Sequence, residues 1–189
     1  MGAGLILLDR DGVLNRVVVD PEHGTIDSPL NAEQVEVFPW VPEALLSLQR
    51  AGFGLAIVSN QPAASKGKTT RENLERVHAR VLTEVQRTGA RITSSHLCFH
   101  RAEVRCLCRK PGTALLEEAF ARNPGFDRAS SWMAGDGVSD VEAGSRLSLR
   151  TAFLGPRKCD ACKVFEDAKL SPTLWVANLA EFAAAITGG

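Results

Sequence analysis

At 189 residues, 44% of them hydrophobic, the chain can bury one full α/β core but not two, and wholesale disorder is excluded. Lys+Arg and Asp+Glu both number 22. That balance argues against a general nucleic-acid or polybasic membrane binder, although a local basic pocket for an anion stays open.

The first apolar run, Leu5 to Leu8, predicts a buried strand, and it is too short to span a bilayer. No basic segment or small-residue cleavage site accompanies it, so a cytoplasmic protein is expected. Val41 to Ala51 predicts a helix, with Pro42 near its start where a missing N–H costs little. Leu55 to Val58 predicts a second strand. In Thr70 to Gly89, Leu74, Val77, Val81, Leu82 and Val85 fall at helical spacing, and Gly89 offers a stop. Strands are expected at Leu97–Phe99, Trp132–Ala134, Thr151–Leu154 and Leu174–Val176. Helices are expected at Ala114–Arg122, from an N-cap at Ser139 to Leu147, and at Leu179–Ile186.

This alternation predicts an α/β fold, a three-layer, Rossmann-like parallel sheet with helices on both faces. Active groups in such sheets lie beyond the carboxyl ends of the strands. Two stretches carry no strong period, Asn15 to Trp40 and His100 to Lys110. Long irregular segments inside compact domains are often functional.

Asp9-Arg10-Asp11-Gly12 directly follows the first strand. Two acids two residues apart offer a nucleophile or metal ligand with a second acid close by, and Gly12 permits a sharp turn. Taken alone this is also the composition of a surface turn. The second strand ends in Ser59-Asn60-Gln61, which can donate to phosphate oxygens or form a polar loop. Arg109-Lys110-Pro111 places two cations before a helix, where they either neutralise a transferring phosphoryl group or sit solvated. Gly135-Asp136 follows a further strand and suits Mg²⁺, which takes one or two carboxylates plus phosphate and water oxygens. Asp140 is either part of that site or an acid in the first turn of its helix.

The order of these groups is more specific than any one of them. Asp9-x-Asp11-Gly12, Ser59, Lys110 and Gly135-Asp136, each after a strand, resemble the four motifs of the haloacid dehalogenase superfamily of phosphotransferases. The resemblance covers roughly residues 5 to 155. It implies that Asp9 is the nucleophile, that Asp11 is the general acid/base, and that Ser59 and Lys110 hold phosphoryl oxygens. It further implies Mg²⁺ on Asp9, on Asp11 through its backbone carbonyl, and on Asp136.

A second constellation is Cys98, His100, Cys106 and Cys108. Three thiols and an imidazole within eleven positions match the ligand set of a structural zinc, the ligands falling on one side if Phe99 and Leu107 fall on the other; scattered core cysteines are the alternative. With all four positions filled, no catalytic zinc is expected. This loop, together with Leu8-Asp9-Arg10-Asp11-Gly12, Asn60-Gln61 and Cys106-x-Cys108-Arg109-Lys110-Pro111, resembles the group of the heptose bisphosphate and histidinol-phosphate phosphatases. That implies no large cap and a small phosphorylated sugar as substrate; the length predicts one domain over residues 1–189, and a compact site without a cap predicts a monomer. The leading expectation is removal of the 7-phosphate of a heptose 1,7-bisphosphate in surface-glycan synthesis. Histidinol phosphate is the alternative substrate, and a non-catalytic zinc-stabilised binding domain the alternative of another class.

Substrate contacts are expected from Asn15, Asn60, Gln61, Lys66 and Arg109. Pro62-Ala63-Ala64-Ser65-Lys66-Gly67 departs from the Ser-Gly-x-x-Arg-Gly usual in the heptose enzymes, so Lys66 would supply the charge without the bidentate fork. Cys159-Asp-Ala-Cys162 reads as two cysteines in a surface turn, with a redox pair the alternative. His23 and His96 read as ordinary loop residues, and Trp40, Trp132 and Trp175 as packing.

Overall fold

The computed structural model describes residues 3–20, 25–87, 89–156 and 159–188. Six parallel strands form the sheet: β1 (Leu5–Leu8), β4 (Gly54–Asn60), β5 (Ser94–Cys98), β6 (Trp132–Gly135), β7 (Arg150–Leu154) and β8 (Leu174–Val176). Their order is β5-β4-β1-β6-β7-β8. A separate antiparallel hairpin pairs β2 (Val18–Asp20) with β3 (Thr25–Asp27). The helices are α1 (Val41–Arg50), α2 (Arg71–Gln86), α3 (Ala114–Arg122), α4 (Val138–Arg146), α5 (Cys159–Asp167) and α6 (Leu179–Thr187).

The β1 run Leu-Ile-Leu-Leu is wholly buried because both faces of the sheet are covered. Ile6 and Leu8 pack with Leu45 of α1 and Phe182 of α6, while Leu5 and Leu7 pack with Leu116 and Phe120 of α3. The chain starts in the middle of the sheet and then builds outward both ways, through β4 to β5 and through β6 to β8. The switch therefore falls at β1, and the register sets Leu8 beside both Ile57 and Ala134. The carboxyl ends of β1, β4 and β6 thus open on one crevice, where such sheets bind ligands.

Local chemistry fixes the helix ends. Thr70 caps α2 by accepting from the Asn73 N–H at 3.1 Å, and Asn178 caps α6 by accepting from Ala180 and Glu181 at 2.9 and 3.1 Å. Among the described residues, no helix is long and apolar enough to cross a membrane.

Four expectations are corrected. The edge strand β5 begins at Ser94, ahead of the apolar Leu97–Phe99; its start, Ser-Ser-His, is polar, and His96 is buried with Glu118 3.4 Å away. The Asn15–Trp40 segment is not wholly irregular, since β2 and β3 lie in it with Val19 and Ile26 exposed instead of facing a core. Ser139 does not cap α4: Gly137 is the N-cap, and Asp140 reaches back to its N–H at 2.9 Å. Cys159 and Cys162 lie in helix α5, so the surface-turn reading fails. His23 lies outside the described residues.

Candidate active site

Asp9 is the first residue past β1, and its N–H donates to the Ala134 carbonyl at 3.0 Å. Its Oδ1 accepts from the Arg10 N–H at 2.7 Å and lies 3.0 Å from Lys110 Nζ. Lys110 is only 3% exposed. Its ammonium donates to the Val58 carbonyl at 2.6 Å and pairs with Asp140 Oδ1 at 2.6 Å. Burial alone would lower its pKa, but Asp140 and Asp9 more than offset that and hold it above the ordinary lysine value. Lys110 therefore stays charged.

Asp9, Asp136 and Asp140 each offer an oxygen to a cluster less than 4.8 Å across. Burial, then repulsion from Asp9 and Asp140, pushes the Asp136 carboxyl up to about 8, although Lys110 opposes the shift. Asp140 is also raised, by burial first, against the opposing charge of Lys110. One ammonium among three carboxylates leaves the site short of positive charge, and a divalent cation is what this donor set fits. Asp140 is occupied by Lys110 and the Gly137 N–H, so Asp9 and Asp136 are the freer ligands. Gly12 makes the approach possible. Its φ is +83°, and a Cβ there would lie 1.9 Å from Asp136 Oδ2.

This charge state has a measurable consequence. A carboxyl raised from 3.8 to about 8 binds a proton in the folded, metal-free protein that the unfolded chain has already lost, so metal-free stability falls as pH rises across that window. A divalent cation bound there must displace that proton. Its apparent affinity is expected to rise about tenfold per pH unit below about 8 and then level off. Calorimetric titration from pH 6 to pH 9 measures the slope, and a flat profile would contradict this account.

The Asp11 carboxylate is held by a donor set of its own. Oδ1 accepts from Arg10 Nε at 3.1 Å and Asn15 Nδ2 at 2.9 Å; Oδ2 accepts from Arg10 Nη2 at 2.9 Å and Gln61 Nε2 at 2.6 Å. Gln61 also donates to Ser59 Oγ at 3.0 Å, which leaves the Ser59 hydroxyl hydrogen for another acceptor. Several residues expected at the substrate have other work here. Asn15 and Gln61 are fully buried under Asp11. Asn60 clamps the backbone of Lys110, accepting from its N–H at 3.0 Å and donating to its carbonyl at 3.1 Å. Arg109 Nη1 donates to the His100 carbonyl at 3.3 Å. Lys66 is exposed, whereas its neighbour Lys68 pairs with Asp27 and ties the β4–α2 loop to the β2–β3 hairpin.

Sequence reasoning gave Arg10 and His78 no role and left Asp140 between the metal site and the first turn of its helix. Arg10 is wholly buried; Asp140 is the buried counter-ion of Lys110; His78 of α2 has both ring nitrogens buried without a hydrogen-bond partner among the described residues. Burial, then the Arg10 charge, lowers the His78 imidazole to about 4, against a smaller opposing effect of Asp11, so it is neutral at ordinary pH.

The four Cys/His ligand atoms converge. Cys108 Sγ lies 3.2 Å from Cys98 Sγ and 3.3 Å from Cys106 Sγ, and Cys98 Sγ lies 3.7 Å from Cys106 Sγ. His100 Nδ1 is 3.3 Å from Cys108 Sγ and 3.7 Å from Cys98 Sγ. A tetrahedral zinc with bonds near 2.3 Å needs sulfur separations of about 3.8 Å, so the set fits with small outward shifts.

Residues 107–182 match the HAD-hydrolase-like family model. The D-glycero-beta-D-manno-heptose-1,7-bisphosphate 7-phosphatase of Pseudomonas aeruginosa is 31% identical over 159 residues, 82% of each chain. The histidine biosynthesis bifunctional protein HisB of Campylobacter jejuni subsp. doylei is 30% identical over 153 residues; the match covers 79% of this chain and 41% of that protein. The chain thus spans about two fifths of the length of these bifunctional relatives. In fold, the D,D-heptose 1,7-bisphosphate phosphatase of B. bronchiseptica, solved with magnesium and phosphate, superposes with a TM-score of 0.79 at 22% identity over 98% of both chains. With its fold, its strand-end residues and a relative matched over most of both chains, this chain belongs to the HAD-like hydrolases, in the family that holds the Pseudomonas heptose bisphosphate 7-phosphatase.

Proposed function

We propose that the chain is a Mg²⁺-dependent phosphoric monoester hydrolase that removes the 7-phosphate of D-glycero-D-manno-heptose 1,7-bisphosphate, serving lipopolysaccharide or capsule heptose synthesis. The observation that carries the reading is the Asp9 carboxylate, 3.0 Å from the buried ammonium of Lys110, in a cluster of acids that needs a cation. The 31% identity to the Pseudomonas enzyme supports the substrate. We read the chain as one domain over residues 1–189, a cytoplasmic monomer with no nucleic-acid or membrane partner.

Asp9, the Asp11 carbonyl and Asp136 would hold Mg²⁺, which supplies positive charge to the phosphoryl oxygens. Lys110 and the Ser59 hydroxyl hold those oxygens from the protein side. Asp9 attacks phosphorus in line; the ester P–O bond breaks, and its electron pair goes to the sugar oxygen, which takes a proton from Asp11. Water then attacks the aspartyl-phosphate and gives its proton to Asp11, releasing phosphate and restoring Asp9. Arg109 and Lys66 are the cations available to the second phosphate. Cys98, His100, Cys106 and Cys108 would hold a structural Zn²⁺ with no position left for water.

The test is a substrate panel with Mg²⁺: both anomers of the heptose bisphosphate beside histidinol phosphate. The kcat/KM for one heptose anomer is expected to exceed that for histidinol phosphate by about 100-fold or more, the scale of a recognised polar group. Turnover of histidinol phosphate alone would sink the heptose reading.

A further inference from the structure

Arg10 is wholly buried, and an unpaired guanidinium in that position would cost several kcal/mol. Nε and Nη2 are partnered, while Nη1 is buried without a hydrogen-bond partner among the described residues. Nε and Nη2 form a fork on both oxygens of Asp11, at 3.1 and 2.9 Å. Nη2 also donates to Gln61 Oε1 at 2.6 Å. That bond decides which way the Gln61 amide faces, because its oxygen must meet Arg10. Its Nε2 is thereby aimed at Asp11 Oδ2, 2.6 Å away, and at Ser59 Oγ, 3.0 Å away. Of the four hydrogen bonds that Asp11 accepts, two come from Arg10 directly and a third is oriented by it; Asn15 supplies the fourth. The neutral ring of His78 places no second cation beside the guanidinium.

We propose that Arg10 is a positioning residue for the proton transfer: it fixes the Asp11 carboxyl group, and through Gln61 the Ser59 hydroxyl, in the geometry the leaving oxygen requires. Its side-chain hydrogen bonds go to Asp11 and Gln61. The inference rests on the reading of Asp11 as the general acid. In the step concerned, the ester P–O bond breaks as Asp9 bonds to phosphorus, and the proton of Asp11 passes to the departing alkoxide oxygen.

Leaving-group dependence separates this role from a structural one. An alkoxide needs the proton, whereas p-nitrophenolate leaves well without it. Arg10→Lys keeps the charge and loses the fork. It is expected to lower the single-turnover rate at which an alkyl phosphate phosphorylates Asp9 by about 100-fold, the size of a general-acid contribution, and to leave substrate affinity within about threefold; this step is read because hydrolysis of the aspartyl-phosphate is common to both esters. The loss on p-nitrophenyl phosphate is expected to be about tenfold smaller. Equal losses on both esters, or none on either, would overturn the proposal. Gln61→Met removes one oriented donor and keeps the Arg10–Asp11 pair, so it carries the test should Arg10→Lys fail to fold. It is expected to show the same selectivity at about tenfold on the alkyl ester, and an equal loss on both esters would again overturn the idea. Asp11→Asn run alongside distinguishes the two failures. If Asp11→Asn shows no leaving-group dependence, the general-acid reading itself has failed; if it does and the Arg10 and Gln61 variants do not, only the present inference has.

Discussion

Asp9→Asn is expected to lower kcat by about 10⁴-fold or more on any phosphate ester, the scale seen when a nucleophile is removed. The amide has nearly the shape of the carboxylate but does not attack phosphorus, and it removes one negative charge from the cluster. Lys110 keeps Asp140 at 2.6 Å and the Val58 carbonyl at 2.6 Å, so its place in the crevice is retained. The cluster of Asp9, Asp136 and Asp140 loses one of its repelling members. The variant is therefore expected to melt no lower than wild type without metal, which separates lost chemistry from lost fold. Acid quenching during turnover is expected to trap label from ³²P-substrate on the wild-type protein and none on Asp9→Asn. Unchanged hydrolysis by the variant would remove Asp9 as nucleophile. A wild-type protein that hydrolyses no ester with Mg²⁺ would favour the zinc-stabilised binding domain.

The parts of this site legible in the sequence are those set by local pattern. Leu5–Leu8 and Gly54–Asn60 end in polar residues because the chain leaves a sheet buried on both faces, so Asp9 and Ser59 could be placed from the apolar runs alone. Cys98, His100, Cys106 and Cys108 declared themselves by spacing. What stayed hidden depends on which way a polar side chain turns. Arg10 lies between two acids in a turn, the composition of an exposed loop; it is buried because Asp11 and Gln61, one of them 51 residues away, supply its acceptors. Asn60 and Gln61 follow a strand that faces the crevice, yet one clamps Lys110 and the other supports Asp11. Asp140 has the position of a helix-start acid and serves as one, but its other oxygen reaches Lys110 from a distant segment. The β2–β3 hairpin escaped notice because its strands are three residues each and turn Val19 and Ile26 to solvent, leaving no buried face to give a period.

Loss of the zinc proposed on Cys98, His100, Cys106 and Cys108 is expected to lower the melting temperature by about 10 °C or more, which for a domain of this size corresponds to a few kcal/mol. Few apolar contacts hold the loop. Leu107 is 81% exposed and Val104 53%, so the segment from His100 to Cys108 has almost no apolar anchor apart from its cysteines. The metal-free cluster also resists ionisation. Burial, then the hydrogen bonds it donates to Cys98 and Cys106, pushes the Cys108 thiol up to about 12, and burial raises Cys98 as well. Only Cys106 runs the other way: burial opposes it, but hydrogen bonds from the Arg109 backbone, Cys108, Cys98 and His100 together bring it to about 7. Zinc must therefore release protons to bind, and its affinity is expected to rise with pH. Cys108→Ser, or chelation of the wild type, measures the effect by thermal melting, with elemental analysis expected to find about one zinc per chain before treatment. The chemistry is expected to suffer less than the fold. Asn60 still clamps the Lys110 backbone and Asp140 its ammonium, so Mg²⁺-dependent hydrolysis of p-nitrophenyl phosphate survives at low temperature. Arg109, whose guanidinium is tied to the His100 carbonyl, moves with the loop, so kcat/KM for a bisphosphate falls further than for the aryl ester. Protein purified without chelator that holds no zinc, or a Cys108→Ser variant that melts with the wild type, would show that the four residues bind no structural metal.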